Sequence, residues 1–269
     1  MNRQPSTPII IFTDLDGTLL DHHDYSTRAA KDTLALIHKH AIPLIFNTSK
    51  TLPEVQQLRR TLENTSPFVC ENGSAIYYHN ATGDLACELP GASYTDILKV
   101  LNELRKDGFS FRGFNDMTDT EVAAITGLST EEAHFARQRA ATEPLLWRGS
   151  EEELDTFAAA LAHHDLRILK GGRFYHVMGK ADKSTALSFF SAQYEKEYGT
   201  KPITIALGDG ENDRAMLEAA DFPVIIPGDK STLTIENPAA VTASFKGPKG
   251  WNHTLLPLLE KLLKENCGG

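Results

Sequence analysis

Continuous apolar runs alternate along this chain with stretches whose apolar residues recur every three or four positions. IIIFT (9–13) opens the pattern with Ile9, Ile10, Ile11 and Phe12 on successive positions, the signature of a strand buried on both faces. Ala30, Leu34 and Ile37 then fall at helical spacing within STRAAKDTLALIHKH, and IPLIFNT (42–48) returns to a strand-like run. Strand, helix and strand in that order make a βαβ unit. A second helix is predicted from LPEVQQLRRTLEN, where Pro53 suits the first turn, and FVCENGSAIYY reads as a strand broken by an Asn72-Gly73 turn.

From about Leu89 to Phe174 the pattern changes. Helical stretches YTDILKVLNELRKDG, STEEAHFARQRAA and EEELDTFAAALAHHD lie among the strand-like segments PLLWRG and LRILKGGRFYHVM, an α+β arrangement with antiparallel strands. The βα alternation then resumes in KSTALSFFSAQYEKEYG, ITIALGDG, ENDRAMLEAAD and FPVIIPG. The reading is an α/β fold: a parallel-sheet core over 1–88 and 175–269, with an α+β cap domain inserted over 89–174.

With 27 Lys+Arg against 36 Asp+Glu, the chain carries a formal charge of −9. That field repels a polyanion, so nucleic acid is not an expected partner, and an anionic small molecule needs a local positive pocket. Cys70, Cys87 and Cys267 are odd in number and widely spaced, which reads as reduced thiols. No leader and no run of about 20 apolar residues stands in the sequence, so a cytoplasmic protein without membrane association is expected. Nothing calls for an obligate protein partner.

Three apolar strands end in polar residues suited to chemistry, and ligands of an open parallel sheet bind beyond the carboxyl ends of its strands. IIIFT ends in Asp14-Leu15-Asp16-Gly17, IPLIFN in Thr48-Ser49-Lys50, and ITIALG in Asp209, with Asn212 and Asp213 following. DLDGT alone could be a turn that reverses the chain. Its echo in GDGEND at a second strand end, with Lys183 between them in sequence, favours an acidic site instead. Gathered carboxylates repel one another and call for a cation, and few hard oxygen ligands with room for water and phosphate suit Mg²⁺. Thr48 also reads as a helix N-cap, and Asn212 or Asp213 as the cap of a helix starting near Arg214. Lys183 begins a helix, where its charge opposes the dipole, and that misfit favours a phosphate-facing role.

DLDGTLLD, NTSKT, Lys183 in ADKSTAL and GDGENDRAML together resemble, in order and spacing, the four motifs of the haloacid dehalogenase superfamily of phosphatases. The insertion between the second and third motifs resembles the large α/β cap of the Cof-type branch. NTSKT in place of that branch's usual Thr-Gly-Arg, with GFNDM, ITGLS, ATEP and GGRFYHVMG, is similar to the mannosyl-3-phosphoglycerate phosphatases. The resemblance implies a Rossmann-like core and a Mg²⁺-dependent phosphatase releasing phosphate from mannosyl- or glucosyl-3-phosphoglycerate. It implies Asp14 as nucleophile forming an aspartyl-phosphate and Asp16 as general acid, then base. Thr48 and Lys183 would neutralise phosphate charge. Asp14, Asp16, Asp209 and Asp213 are the expected metal ligands, with Asn212 in support.

A glycosylated phosphoglycerate carries a carboxylate as well as a phosphate, so further cations are expected near it. Ser49 and Lys50 are candidates in the core, and Arg112, Arg137, Arg139 and Arg173 in the cap; Arg112 is the one carried forward. Glu143 is the expected acceptor for a sugar hydroxyl, and His176 reads as a strand residue. A broad sugar-phosphate phosphatase, a phosphomutase of the same superfamily and a non-catalytic sugar-phosphate-binding module remain as competing readings.

Overall fold

A computed structural model describes residues 7–171, 173–228 and 233–267. Residues 1–6, where no leader is read, lie outside the described part. The chain runs through β1 (Ile9–Thr13), α1 (Lys31–Lys39), β2 (Leu44–Asn47), α2 (Leu52–Thr61), β3 (Phe68–Cys70), β4 (Ala75–His79) and β5 (Leu85–Glu88). It continues with α3 (Tyr94–Lys106), β6 (Phe111–Gly113), α4 (Asp119–Thr126), α5 (Thr130–Ala136), β7 (Thr142–Trp147), α6 (Glu151–Ala162), β8 (Leu166–Gly171) and β9 (Phe174–Gly179). It closes with α7 (Lys183–Tyr198), β10 (Ile203–Gly208), α8 (Arg214–Ala219), β11 (Phe222–Ile225), β12 (Val241–Thr242) and α9 (Gly247–Cys267). None of the helices is long and apolar enough to cross a membrane among the described residues.

Two compact units divide this chain: Met1–Thr48, Ser66–Phe68 and Asp182–Gly269 form the first, Ser49–Thr65 and Val69–Ala181 the second. In the first, β12, β11, β10, β1 and β2 pair side by side, every pair parallel. All five residues of β1 are buried, as are the four of β2, as continuous apolar strands between helical layers must be. Register puts Thr13 opposite Leu207 on one side and Phe46 on the other, so β1, β2 and β10 end together. Helix α9 is pinned to that edge: the Trp251 indole, fully buried, donates to Thr13 Oγ1 at 3.0 Å.

The second unit holds an antiparallel sheet in the order β6-β7-β9-β8. Leu145 and Val177 on one face share an apolar core with Ile97, Leu101 and Leu104 of α3 and Phe157 and Leu161 of α6. Leu146 and Phe174 face the other way, against Phe114, Met117, Val122 and Ala133. This unit differs from the 89–174 insertion read in the sequence, since it also takes in 49–65, 69–88 and 175–181. A boundary at 174/175 would cut β9, whose six residues all pair with β8.

Upstream, the chain around residue 71 is tied in by Glu71, a carboxylate only 1% exposed. It accepts from the Ala140 N–H (2.7 Å), the Ala141 N–H (3.1 Å) and the Thr142 hydroxyl (2.7 Å). Those bonds also end α5 at Ala136 rather than carrying the helix to Ala141, because the amides of 140 and 141 are turned toward Glu71. To make them, Glu71 and Asn72 adopt φ of 54° and 58°, at about 1–2 kcal/mol each. Hydrogen bonds to a charged acceptor contribute about 1.5–3 kcal/mol apiece, so three of them outweigh that strain. Replacing Glu71 by Ala keeps the strain and strands two amides and a hydroxyl. We expect Glu71→Ala to lose about 3 kcal/mol or more, read as a fall in the urea midpoint; an unchanged midpoint would show these bonds to be dispensable.

Candidate active site

The first unit's shared strand edge is built from short steps of sequence. Beyond β1 the chain turns so that Leu15 and Leu19 drop into the core, both fully buried, while Asp14 is 6% exposed and Asp16 half-buried. The turn closes through Leu20 N–H to Leu15 O at 2.8 Å and Gly17 N–H to Leu20 O at 3.0 Å. Gly17 sits at φ 79°, and a Cβ there would lie 3.0 Å from Asp209 Oδ2. Both the left-handed backbone and the close approach demand glycine. The next residue, Thr18, donates its hydroxyl to Asp209 Oδ1 at 3.0 Å. Thus the Gly-Thr of DLDGT seats the aspartate of the distant GDGEND.

Lys183 joins the two motifs. It is the first residue of α7, and its fully buried Nζ donates to Asp14 Oδ1 and to Asp213 Oδ1, both at 2.6 Å. Asp213 is fully buried too, and its other oxygen accepts from the Asp209 and Gly210 amides at 3.0 Å each. Asn47 fixes the start of α7 by donating Nδ2 to Lys183 O at 2.9 Å. The misplaced cation read from the sequence is therefore held by carboxylates that outweigh the helix dipole.

Asp14, Asp209 and Asp213 each place an oxygen within 4.8 Å of the others, so they form a group able to hold a metal ion. Asp16, expected as a fourth ligand, does not join it. Burial, with the charges of Asp213 and Asp209 behind it, holds the Asp14 carboxyl well above the usual range against the pull of Lys183. Asp209 is pushed up to about 6 by burial and by Asp213. Burial works against the Lys183 ammonium, yet Asp14 and Asp213 raise its pKa above the ordinary lysine value. If all three carboxylates were ionised, one ammonium would leave two net negative charges, the charge that a divalent cation with a taste for oxygen balances. The donor set fits Mg²⁺.

Thr48 is buried at the end of β2, and Asn212 is half-buried in the turn before α8. Ser49, Lys50, Arg112 and Glu143 belong to the second unit. There the backbones of the first two are tied down, the Ser49 carbonyl by Arg139 Nη1 at 3.3 Å and the Lys50 carbonyl by the Glu71 amide at 3.0 Å. Arg112 spends Nη2 on Glu121 at 2.6 Å and on the Asp116 carbonyl at 3.3 Å. Glu143 departs from its expected role. It lies on the face of β7 toward α3, 1% exposed, with Oε1 accepting from the Asn115 amide (2.8 Å) and Oε2 from the Tyr94 hydroxyl (2.9 Å). A Cβ on Gly113 would stand 2.1 Å from Glu143 Oε1, so the glycine makes room for a packed carboxylate rather than an open acceptor. His176 is a strand residue as read: burial, with Arg139's charge behind it, pushes its pKa down to about 3, and it stays neutral.

Sequence reasoning missed Thr18, Trp251, Asn47 and Glu71. Thr18 could have been taken from DLDGT itself, since a hydroxyl after a turn glycine is a ready donor. The others bond to residues 69 to 238 positions away, and no local pattern announces that.

A model of haloacid dehalogenase-like hydrolases matches residues 11–234. The chain is 35% identical to the glucosyl-3-phosphoglycerate/mannosyl-3-phosphoglycerate phosphatase of Persephonella marina, over 96% of this chain and 100% of that protein. Among solved structures it is similar to a Thermoplasma acidophilum protein (TM-score 0.67, 17% identity, covering 95% of this chain and 98% of that one). It is also similar to a phosphatase of the haloalkanoate enzyme superfamily from Bacteroides thetaiotaomicron (TM-score 0.67, 18% identity, covering 97% of each). At those identities the structures speak for the fold alone.

The raised Asp209 carboxyl fixes the sign of a pH effect. Its stabilising protonated form is present below the unfolded value of 3.8 and is lost as pH rises through about 6. With chelator present, Asp209→Asn should therefore be more stable than wild type above pH 6. Roughly two units correspond to ~3 kcal/mol, discounted to about 2 for partial exposure. The gap should close by pH 4. Thermal unfolding of both proteins from pH 4 to 8 reads it, and a gap independent of pH would remove Asp209 from the carboxylate cluster.

Proposed function

The chain belongs to the haloacid dehalogenase-like hydrolase family and is a phosphatase, and from that premise we propose a Mg²⁺-dependent monoesterase that works through an aspartyl-phosphate on glucosyl- or mannosyl-3-phosphoglycerate. One observation carries the chemistry: a buried aspartate at a strand end, one oxygen held at 2.6 Å by a fully buried lysine. The substrate reading rests on the 35% identity to a relative of that name along its full length.

Lys183 fixes Asp14 Oδ1, leaving Oδ2 to attack phosphorus. The new O–P bond forms as the bond to the glycerate oxygen breaks, and that oxygen takes a proton from Asp16. Water then attacks the phosphorus of the aspartyl-phosphate, giving its proton to Asp16; inorganic phosphate leaves and Asp14 is restored. Asp16 suits proton transfer because it stands outside the three-carboxylate group. Lys183 and the Thr48 hydroxyl neutralise charge on the phosphoryl oxygens. Mg²⁺ held by Asp14, Asp209 and Asp213 would supply Lewis-acid stabilisation of that charge. Ser49 and Lys50 remain the proposed contacts for the rest of the substrate, and their carbonyls are anchored within their own unit. Glucosylglycerate or mannosylglycerate is the remaining product.

Phosphate release from both glycosyl-phosphoglycerates and from p-nitrophenyl phosphate tests this reading. We expect the glycosyl substrates to be preferred at least tenfold in kcat/KM, chelator to stop turnover and Mg²⁺ to restore it. Asp14→Asn should lose at least about 1,000-fold in kcat while remaining folded, since an amide of the same shape has no charge to attack phosphorus. Preference for the aryl phosphate would replace the substrate reading with a broad phosphatase. Turnover by folded Asp14→Asn would overturn the nucleophile.

A further inference from the structure

Asp14 is placed by more than the lysine that grips its carboxylate, because a side chain is no better fixed than the main chain it hangs from. Its amide donates to the Leu207 carbonyl at 2.9 Å and so carries the β1–β10 ladder one residue past β1. Its carbonyl has no such partner. In the register that sends the Ile203 N–H to the Pro8 carbonyl, the donor due to the Asp14 carbonyl is the Asp209 N–H. That amide is turned away and donates to Asp213 Oδ2 at 3.0 Å instead.

The Thr13 hydroxyl takes its place, donating to the Asp14 carbonyl at 2.8 Å. Thr13 Oγ1 in turn accepts from the Trp251 indole at 3.0 Å, and since an indole nitrogen only donates, the single hydroxyl proton is left for Asp14. Thr13 and Trp251 are both fully buried, where either polar group costs stability if it goes unpaired. The rest of β1 is Ile9, Ile10, Ile11 and Phe12, so a hydroxyl is the exception in an apolar strand. The indole comes from α9, which is itself tied to α1: Asn252 Oδ1 accepts from the Thr33 amide at 3.0 Å and from the Thr33 hydroxyl at 2.7 Å. A relay of hydrogen bonds therefore runs from α9 to the main chain of Asp14.

We propose that Thr13 and Trp251 are positioning residues for phosphoryl transfer: the Trp251 indole aligns the Thr13 hydroxyl, which holds the Asp14 carbonyl and with it the backbone from which the attacking oxygen projects. Lys183 grips Oδ1 and the hydroxyl grips the carbonyl, so Asp14 is restrained at both its side chain and its main chain. A displacement of about 1 Å in such a group costs on the order of 100-fold in rate. The inference rests on Asp14 as the nucleophile and adds the groups that aim it.

The test compares Thr13→Val, which keeps the shape and removes the hydroxyl, with Thr13→Ser, which keeps the hydroxyl, and with Trp251→Phe, which keeps a buried ring and removes the N–H. Each is read with Mg²⁺ on whichever of glucosyl-3-phosphoglycerate, mannosyl-3-phosphoglycerate and p-nitrophenyl phosphate wild type cleaves fastest, at a temperature where circular dichroism shows the variant fully folded. Thr13→Val should lower kcat by about 10–100-fold with KM within about twofold of wild type, and Thr13→Ser should stay within about threefold in both. Trp251→Phe should lower kcat by about threefold or more, and Thr13→Val/Trp251→Phe should be no slower than Thr13→Val alone, since the indole acts through the hydroxyl. Wild-type kcat in folded Thr13→Val overturns the proposal, as does a serine variant as slow as the valine one, or losses that multiply in the double variant. Should Thr13→Val fail to fold, Trp251→Phe decides alone, and a wild-type kcat there overturns it. Turnover by folded Asp14→Asn sinks the nucleophile and this inference with it. An inert Asp14→Asn beside a Thr13→Val of wild-type rate sinks this inference alone.

Discussion

A fully buried ammonium between two carboxylates is the interaction around which the first unit is built. Lys183 Nζ reaches Asp14 and Asp213 at 2.6 Å each, with no exposure of its own. Removing such charges from water costs several kcal/mol per ion, and attraction repays that only with good geometry and satisfied lone pairs. The surrounding bonds meet that condition. Asp213 takes two backbone amides, Asn47 anchors the Lys183 carbonyl, and Thr18 holds the neighbouring Asp209. The arrangement still leaves excess negative charge, so the cluster costs stability that the apolar strands beneath it must supply. An acidic centre under that strain is poised for a cation and a phosphate, which is a reason for such a cluster to exist.

The parallel register converts that local arrangement into a site. β1, β2 and β10 end at one level, which brings residues 14, 48 and 209 to one edge although 161 positions separate Thr48 from Asp209. A one-residue slip would send Asp14 to the other face and Leu15 out of the core. Burial of Leu15 and Leu19 penalises that slip, and the Trp251 bond to Thr13 locks the strand end from the α9 side. Hydrophobic packing and catalytic placement are therefore specified by the same residues.

The strand ends were legible because both signals are local: apolar runs set the strands, and Asp-x-Asp-Gly and Gly-Asp-Gly set the turns. The two-sided sheet, the βα alternation, and Asp14, Lys183, Asp209 and Asp213 as a group followed from them. Legibility failed where a distant partner overrides local propensity. STEEAHFARQRAA has helical composition to Ala141, yet the helix stops at Ala136 because Glu71 captures the next amides. LRILKGGRFYHVM is two paired strands, β8 and β9, rather than one extended segment. α4 was passed over as a motif, although Thr118 and Glu121 make a capping box there. α9 escaped because Pro248 and Pro257 argue against a helix, while its first turn tolerates one proline and burial of Trp251, Leu255 and Leu259 outweighs the other.

Glu143 and Arg139 show why candidate binding residues resist sequence reading. Both lie in one short segment, RAATEP, and both carry charge beside a strand. Alternation along β7 sends the Glu143 side chain toward α3, where Tyr94 and the Asn115 amide consume its oxygens. Arg139 stands before the strand begins, at the point where Glu71 has pulled the chain out of its helix. A backbone carbonyl of residue 49, a helix end and a strand hydroxyl can meet it there at once. Charge alone puts both among the candidates, and of the two Glu143 is the one carried forward. What separates them is where each spends its hydrogen bonds, a property of partners up to 90 positions away rather than of the segment. The carboxylate has both oxygens engaged, whereas the guanidinium is fixed by neutral acceptors and sets its charge beside Glu143 and His176.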